Sequence, residues 1–280
     1  MLSYRHAFHA GNHADVLKHF VLMQTLAYAT QKDKPLWYVD THAGAGMYAL
    51  DSTYASQNAE YETGIQRLWQ RDDLPESIAS YVNLIRHFNP NGKLKLYPGS
   101  PACARELLRA EDRLRLYELH PTDQKLLKQS MGKSRQILIE VIDGFTGLKA
   151  SVPPPSRRAV VLIDPPYELK QDYQHVVTAM KEALQRFSTG TYIIWYPLLQ
   201  RPEPLQMVEK LKKIWPESWL NVSLSVEKPA LDGFGMYGSG LFIINPPWTL
   251  PGILEEALPV LLNALKKDEG AGYTLQKQIS

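Results

Sequence analysis

Two short stretches of the sequence combine residues that could do chemistry, VLIDPPYE at 161–168 and INPPW at 244–248. In each, an apolar run ends on a carboxylate or an amide, which two prolines and an aromatic residue follow. Since proline cannot donate to a sheet ladder, each run is predicted to be a strand that ends there. The prolines fix the direction of the backbone carbonyls, so the turn can accept hydrogen bonds from an exocyclic amine.

The turn at 164–167 is predicted to be the reaction centre. Asp164 and the carbonyl of Pro165 would accept hydrogen bonds from an NH2 group and aim the nitrogen lone pair at a methyl group, because in-line transfer rewards alignment. Tyr167 offers a flat ring on which an extruded base can stack. This pattern is typical of methyltransferases that act on exocyclic amines. The turn at 245–248 follows the last predicted strand, so we expect a strand terminator with a packed tryptophan.

Acidic residues at four strand ends predict a cofactor crevice. They are Asp40, Glu118, Asp143 and Asp164. In a doubly wound sheet these ends line one crevice, and a row of carboxylates suits a cationic ligand that carries a ribose. S-adenosylmethionine is such a ligand, with Glu118 placed for the ribose and Asp143 for the adenine amine. The glycines of DTHAGAGMY (40–48) let the backbone approach a ligand, but they fall short of a dinucleotide fingerprint.

Seven apolar runs are predicted to form the sheet. They lie at 36–40, 114–119, 136–142, 159–164, 191–196, 220–227 and 240–245. Most lack polar alternation, as strands buried on both faces do. Helical patterns lie between many of them, at 101–110, 122–131, 172–187 and 203–213. The link between the last two runs is too short for a helix. We therefore predict an α/β fold with a seven-stranded, mostly parallel sheet and an antiparallel last strand.

Residues 50–96 interrupt the alternation of strands and helices. They contain two helical patterns, at 55–70 and 75–88, where a crossover needs one helix. We expect 50–96 to be an inserted helical subdomain, and 1–49 with 97–280 to form the main domain. The insertion could add packing or could clamp a substrate, because loops at this edge of such sheets often carry function.

The N-terminal block is rich in histidine, and Asn12 is predicted to cap a helix that starts at HADVLKHF. We expect an apolar stripe on this helix, with His13 and Lys18 on other faces. His9 and His13 have a spacing that metal ligands use, but Gly11 lies between them and no further cluster follows. No metal is predicted. The preceding arm interleaves aromatic and cationic residues, which could stack on bases and pair with phosphates, or pack on the core.

The composition sets few limits on the partner. The chain of 280 residues has 44% apolar residues and a net charge of +2, which neither demands nor excludes a nucleic acid. The one cysteine, Cys103, reads as a small core residue, which argues against methylation of a pyrimidine C5 by a nucleophilic thiol. No run approaches the roughly 18 apolar residues of a membrane span, and no signal peptide is evident. We expect a cytoplasmic protein with no membrane partner.

Together these motifs resemble those of one bacterial family. YRHAFHAGNHADVLKH, DTHAGAG, YPGSP, ELHP, DGF, LIDPPYE and NPPW occur in this order in the RlmJ family of 23S ribosomal RNA adenine-N6 methyltransferases. The resemblance covers nearly the whole chain. It implies a Rossmann-like class I methyltransferase fold, S-adenosylmethionine as donor and one adenine of 23S ribosomal RNA as target. We expect the protein to act as a monomer.

The resemblance also implies roles for individual residues. Cofactor contacts are implied for His19, His42, Gly44, Ser100, Glu118, Asp143, Gly144 and Asp164. The family places the N-terminal helix over the cofactor, which would explain His19. Catalysis is implied for Asp164, and contact with the RNA substrate for Tyr4, His6 and Lys18.

Three alternatives stay open at this point. A DNA adenine-N6 methyltransferase uses the same turn, although the sequence shows no separate DNA-recognition domain. A non-catalytic RNA-binding protein could retain a relict pocket, against which the intact Asp164, Glu118 and Asp143 argue. A nicotinamide-dependent reductase is weakened by the incomplete glycine fingerprint.

Overall fold

A computed structural model describes residues 6–51 and 59–279. The described α-helices are α1 (His13–Ala29), α2 (Gln66–Trp69), α3 (Glu76–His87), α4 (Ser100–Leu107), α5 (Pro121–Met131), α6 (Gly144–Ser151), α7 (Lys170–Arg186), α8 (Glu203–Ile214) and α9 (Leu250–Leu265). Two short 3-10 helices lie at His6–Phe8 and Glu60–Thr63. The strands are β1 (Trp37–Asp40), β2 (Met47–Ala49), β3 (Leu96–Pro98), β4 (Arg113–Tyr117), β5 (Ile137–Glu140), β6 (Ala159–Ile163), β7 (Thr191–Leu198), β8 (Trp219–Ser225), β9 (Gly238–Ile244) and β10 (Gly272–Gln278).

The main sheet has the order β10-β8-β9-β7-β6-β1-β4-β5, and β2 pairs with β3 in a separate ribbon. The neighbours from β7 to β5 run parallel, whereas β9 is antiparallel to both β7 and β8. The α/β class, the mostly parallel sheet and the antiparallel closing strand are therefore confirmed. Strand β6, which precedes the turn at 164–167, lies directly beside β1.

The predicted number of seven strands is wrong, because the main sheet has eight. The additional strand, β10, pairs antiparallel with β8 at the edge of the sheet. Most of its seven residues are exposed and polar, so it has no apolar run in the sequence. An edge strand with little burial gives a weak sequence signal.

Helices cover both faces of the sheet, as the unbroken apolar runs of its inner strands predict. Alternate residues of β6 point to opposite faces: Val160 and Leu162 belong to the core under α1, α3 and α9. Val161 and Ile163 belong to the core under α6, α7 and α8. Strand β6 is thus completely buried, which holds the residue after it in a fixed position at the carboxyl edge of the sheet.

Helix α1 begins where predicted, with the Asn12 side chain accepting hydrogen bonds from the backbone N–H groups of Ala14 and Asp15. His13 and Lys18, which were predicted to lie on faces other than the apolar stripe, are both buried. The first eleven residues of α1 are all buried, because the sheet, α4 and the insertion surround it. Burial lowers the pKa of His13 to about 4, so its ring is neutral, whereas the buried ammonium group of Lys18 requires oppositely charged partners.

The insertion packs on this N-terminal region. Residues 52–58 of this region lie outside the described residues, so the predicted helix at 55–70 can be compared only from residue 59. There Gly64 separates the short 3-10 helix from α2, in place of one continuous helix. A Cβ atom on Gly64 would lie 2.0 Å from the carbonyl oxygen of Gly11, so the two backbones touch there. The N–H of Ile65 donates to that same carbonyl at 2.8 Å. The second predicted helix, at 75–88, corresponds to α3.

None of the helices in the described ranges is long and apolar enough to cross a membrane.

Candidate active site

A cavity of about 480 Å³ opens at the carboxyl ends of β1, β4, β5 and β6. This is the crevice in which doubly wound sheets bind ligands, and the volume lies in the usual range for small-molecule sites. The predicted site residues on its wall are His6, Lys18, His19, His42, Gly44, Ser100, Glu118, Asp143, Gly144, Asp164, Pro165 and Tyr167. Tyr4 lies outside the described residues. One cavity therefore collects every predicted site residue that the structure describes.

The carboxylate of Asp164 is held by a lysine from the N-terminal helix. Lys18 Nζ donates to Asp164 Oδ2 at 2.6 Å, and the Asp164 side chain is 17% exposed. Within the described part of the chain, the other oxygen, Oδ1, accepts no hydrogen bond. Because a carboxylate oxygen can accept two hydrogen bonds, Asp164 remains able to bind an amine while Lys18 fixes its orientation.

Asp15 organises the groups around Lys18. Its Oδ1 lies 2.9 Å from Lys18 Nζ, and its Oδ2 accepts from His6 Nε2 and from the backbone N–H of Gly11, each at 2.9 Å. Burial opposes ionisation of this carboxyl, but the charges of His6 and Lys18 hold the pKa of Asp15 well below its usual value. Asp15 therefore links the arm, the helix and, through Lys18, the Asp164 carboxylate.

Tyr167 is held in a strained and buried position. Its φ of 50° lies in the left-handed region, which a bulky residue rarely adopts. Its hydroxyl donates to the backbone carbonyl of Trp195 at 2.6 Å, and Tyr173 lies across its ring at a centroid distance of 4.5 Å. The residue is 5% exposed and lines the cavity. With Tyr173 over one face, only the opposite side of the ring is left for a base.

Trp195 forms a second aromatic wall beside the turn at 164–167. Its ring centroid lies 5.8 Å from Lys18 Nζ and 6.0 Å from the ring of Tyr167. Its buried indole Nε1 has no hydrogen-bond partner among the described residues.

Glu118 supports the glycine turn after β1. Its Oε2 accepts from the N–H of Gly44 at 2.8 Å, and its Oε1 accepts from the N–H of His120 at 2.7 Å. Burial raises the pKa of Glu118, and the two backbone hydrogen bonds offset part of that effect. Each oxygen still has capacity for a hydroxyl donor.

Asp143 caps helix α6, with Oδ2 accepting from the N–H and the hydroxyl of Thr146 at 2.8 and 2.9 Å. In the described structure Oδ1 of Asp143 carries no hydrogen bond and remains an acceptor. At the next residue, Gly144, a Cβ atom would lie 1.9 Å from the carbonyl oxygen of Thr41. Only glycine lets α6 approach the end of β1 this closely, so Gly144 shapes the cavity through packing.

Two histidines on the cavity wall are neutral. His42 accepts from or donates to the Thr41 hydroxyl at 2.8 Å, and burial lowers the pKa of His42 to about 4. His19 is hydrogen-bonded through Nδ1 to the hydroxyl of Tyr97 at 2.8 Å, and burial lowers the pKa of His19 to about 3. Neutral imidazoles leave the cavity wall without added positive charge near a cationic ligand.

The expectation that Asp40 lines the crevice is wrong. Asp40 is completely buried behind the cavity wall, where its Oδ2 accepts from the hydroxyls of Tyr38 at 2.6 Å and Ser100 at 2.7 Å. Burial raises the pKa of Asp40 to about 6, although these hydrogen bonds lower it. Asp40 thus fixes β1 to the start of α4, and it orients Ser100, which does line the cavity.

The second proline turn lies at the opposite edge of the sheet, because β9 runs antiparallel to β7. Asn245 Nδ2 donates to the carbonyls of Ser188 and Gly190 at 2.7 and 2.8 Å, and its Oδ1 accepts from Trp215 at 3.1 Å. These hydrogen bonds use both ends of the Asn245 amide to hold the chain where β9 ends, as expected for a strand terminator. The expected packing of the tryptophan is wrong, since Trp248 is 74% exposed.

Cys103 is buried at the apolar face of α4, as expected, and burial raises the pKa of its thiol. Within residues 6–51 and 59–279, no three His, Cys, Asp or Glu side chains are grouped so that they could hold a metal ion.

Sequence reasoning did not identify Asp15 or Trp195 as site residues. Asp15 stands one helical turn before Lys18, a spacing that pairs opposite charges on a helix and could have indicated the ion pair. Trp195 gives no such signal, because a tryptophan in an apolar run also fits a core position.

The chain matches a family model over residues 33–277, the model of Ribosomal RNA large subunit methyltransferase D, RlmJ. Two curated relatives are both called Ribosomal RNA large subunit methyltransferase J. The relative from Escherichia coli (strain K12) is 49% identical over 265 residues, which are 95% of this chain and 94% of the relative. The relative from Haemophilus influenzae is 46% identical over 277 residues, 99% of this chain and 98% of the relative.

A solved structure shares the fold. A crystal structure of a protein from Legionella pneumophila str. Philadelphia 1 superimposes with a TM-score of 0.89 at 37% sequence identity. The superposition covers 97% of this chain and 100% of that chain.

The contact between the arm and the insertion predicts a pH-dependent stability. His9 Nδ1 lies 2.9 Å from Glu60 Oε1, and Glu60 Oε2 accepts from Asn12 at 2.9 Å. The hydrogen bond to Glu60 raises the pKa of His9 above 6.5, with burial opposing it. Burial raises the pKa of Glu60, but the bonds from His9 and Asn12 outweigh it and lower the pKa below 4.5.

The stabilisation from a raised His9 pKa is complete below pH 6.5 and is lost as the pH rises through the folded-state pKa. Between pH 6 and 8.5, the free energy of unfolding of the wild type should therefore fall by up to about 1 kcal/mol relative to that of Glu60→Gln. The effect is small because the pair is a third exposed. Urea denaturation of both proteins across this range measures the difference. A difference that stays constant with pH would show that the His9–Glu60 pair contributes nothing.

Proposed function

The chain belongs to the RlmJ family of ribosomal RNA large subunit methyltransferases, and we propose that it methylates the exocyclic N6 of one adenine in 23S ribosomal RNA. The methyl donor is S-adenosylmethionine. The observation that carries the proposal is the rigid turn of Asp164 and Pro165, which stands at the end of a completely buried strand and inside the one cavity that collects the predicted site residues.

The acceptors on the cavity wall fit S-adenosylmethionine. We propose that Glu118 accepts from the ribose hydroxyls and that Asp143 Oδ1 accepts from the adenine amine, since both carboxylates retain acceptor capacity. His42, Gly44, Ser100 and Gly144 would line the same ligand, and the N-terminal helix would cover it through His19. When bound, S-adenosylmethionine supplies the methyl group as an electrophile.

The chain's own residues prepare the adenine nitrogen. Asp164 Oδ1 and the carbonyl of Pro165 accept the two N–H groups of N6, which localises the nitrogen lone pair on the side that faces the methyl group. Lys18 holds Asp164 Oδ2 at 2.6 Å, so the carboxylate cannot rotate away. The nitrogen lone pair would form the new N–C bond as the methyl carbon–sulfur bond breaks, which leaves S-adenosylhomocysteine, and the methylated nitrogen would then release one proton to solvent. Alignment of this kind can lower the activation barrier by several kcal/mol.

The base itself must leave the RNA stack to reach Asp164. We propose that the extruded adenine stacks against the cavity-facing side of Tyr167, with Trp195 as the neighbouring wall. Tyr173 and the hydroxyl contact with Trp195 hold the Tyr167 ring in place before the base arrives. Base–aromatic stacking contributes about 1–3 kcal/mol.

The N-terminal arm and the insertion are proposed to bind the RNA around the target. Tyr4, His6 and Lys18 would act at the substrate side of the cavity, and His6 is already fixed there by Asp15 at 2.9 Å. We further propose that 50–96 is an inserted subdomain that holds this arm through Glu60, while 1–49 and 97–280 form the methyltransferase domain. The protein would act as a monomer in the cytoplasm, where its ribosomal substrate is found.

Transfer of tritiated methyl groups tests the activity and the role of Asp164. Wild-type protein should label deproteinised 23S ribosomal RNA and not duplex DNA, with the label recovered as N6-methyladenine. Asp164→Ala should lower kcat by about 10²- to 10³-fold, a loss expected when one positioned hydrogen-bonding group is removed. Calorimetry should give a dissociation constant for S-adenosylmethionine within threefold of wild type.

Asp164→Asn is the matched control, because it keeps an acceptor oxygen without the charge and should retain more activity than Asp164→Ala. Near-normal turnover by Asp164→Ala would remove Asp164 from the mechanism. Labelling of duplex DNA alone would favour the DNA methyltransferase, and RNA binding with no transfer would favour a non-catalytic RNA-binding protein.

Asp15→Asn tests whether this buried carboxylate positions Lys18. The substitution keeps the shape and an acceptor for Gly11, but it removes the charge that faces Lys18 and His6. We expect kcat to fall about 10- to 100-fold through misplacement of Asp164. In a Lys18→Met background the same substitution should lower kcat little further, because the ammonium group that Asp15 positions is already absent. Independent, multiplying losses in the double variant would show that Asp15 does not act through Lys18.

A further inference from the structure

The loop between β8 and β9, residues 226–237, presents two large apolar side chains to solvent. Leu231 is fully exposed and Phe234 is 76% exposed. Aromatic and aliphatic side chains at a loop tip are costly in water unless a partner covers them. Trp248 is similarly exposed, but it stands at the opposite edge of the sheet from the cavity.

The loop is anchored beside the mouth of the cavity. Gln200 Nε2 donates to the carbonyl of Ala230 at 3.0 Å, and the N–H of Tyr237 donates to the carbonyl of Leu198 at 3.2 Å. Met236, two residues after Phe234, lines the cavity together with Leu199. The exposed tip is therefore continuous with the wall on which the target base is proposed to bind.

The tip is preformed by its own contacts. Gly233 and Gly235 flank Phe234 and have φ values of 77° and 90°, a conformation that favours glycine. The N–H of Gly233 donates to the carbonyl of Ala230, and the N–H of Phe234 donates to Asp232 Oδ1, both at 3.0 Å. These hydrogen bonds hold the backbone of the turn with the Phe234 side chain in solvent, so the backbone need not be ordered anew when a partner covers the ring.

The reaction itself creates a vacancy that such a side chain can fill. An adenine that reaches Asp164 leaves a gap in its RNA stack, and unstacking costs a few kcal/mol. Proteins that distort nucleic acids commonly insert an apolar wedge between bases. We propose that Phe234, supported by Leu231, inserts into the RNA stack beside the extruded adenine. The proposal rests on the function given above and adds a substrate-binding element to it.

The surroundings of the tip suit RNA. Arg201, which follows Gln200, and Lys228, at the start of the loop, are both exposed and can pair with phosphates. A protein partner would need a larger continuous apolar patch than two side chains provide. An exposed aromatic ring on a segment that also carries exposed cations is a combination that nucleic acids bind by stacking and by phosphate pairing, although Asp232 near Phe234 is used by the backbone of the turn.

Phe234→Ala and Trp248→Ala form a matched pair of exposed aromatic truncations. With deproteinised 23S ribosomal RNA as substrate, Phe234→Ala should lower kcat/KM about tenfold, the scale of one lost stacking contact. Trp248→Ala should stay within twofold of wild type, and both variants should keep the wild-type affinity for S-adenosylmethionine and the wild-type Tm. Phe234→Trp should restore most of the activity, whereas Phe234→Leu should not.

A second readout follows extrusion directly. The adenine that the wild type methylates is replaced by 2-aminopurine in a matching RNA hairpin, and its fluorescence should rise on binding to wild type much more than on binding to Phe234→Ala. Equal kcat/KM and equal fluorescence for these two proteins would overturn the wedge and leave the proposed function standing. Absence of methyl transfer by the wild type would instead overturn the proposed function.

Discussion

A single buried ammonium group, that of Lys18, joins the N-terminal helix to Asp164 in the proposed reaction centre. Burying this charge costs several kcal/mol unless it is paired, and it is paired twice, with Asp15 at 2.9 Å and Asp164 at 2.6 Å. Asp15 in turn holds His6 and the backbone of Gly11, so the described residues before α1 are fixed by the same charges. Once Lys18 is placed, the orientation of the Asp164 carboxylate follows, and so does the side of the cavity on which an amine can bind.

Strand direction decides which of two similar turns can react. Both turns carry a polar residue, two prolines, an aromatic residue and one non-glycine residue with positive φ, Tyr167 in one and Asn245 in the other. The turn after β6 meets the ends of β1, β4 and β5, whereas antiparallel β9 carries the second turn to the far edge. There the Asn245 amide is used by neighbouring carbonyls and by Trp215, so it has structural contacts in place of a ligand. The two turns have similar local sequences, and the direction of the preceding strand determines that only the turn at 164–167 lies at the cavity.

Much of this could be predicted from sequence because the signals were local and strong. Buried parallel strands appear as unbroken apolar runs, a capping asparagine marks the start of α1, and proline pairs end strands. Edge strand β10 was missed because it buries few of its residues. Asp40 was wrongly predicted to line the crevice, because the sequence of a strand end does not show which way its acid points. The Asp40 carboxylate points to the hydroxyls of Tyr38 and Ser100. The Lys18–Asp164 pair was not predictable from pattern, since it joins residues 146 positions apart and depends on how α1 crosses the sheet.

The most direct test is a crystal structure of the protein with S-adenosylhomocysteine and adenosine. The account predicts that adenosine N6 donates to Asp164 Oδ1 and to the carbonyl of Pro165, that Lys18 stays on Oδ2, and that the sulfur lies next to this turn. A sulfur atom beside Asn245, or an adenosine N6 that contacts neither Asp164 nor Pro165, would contradict it.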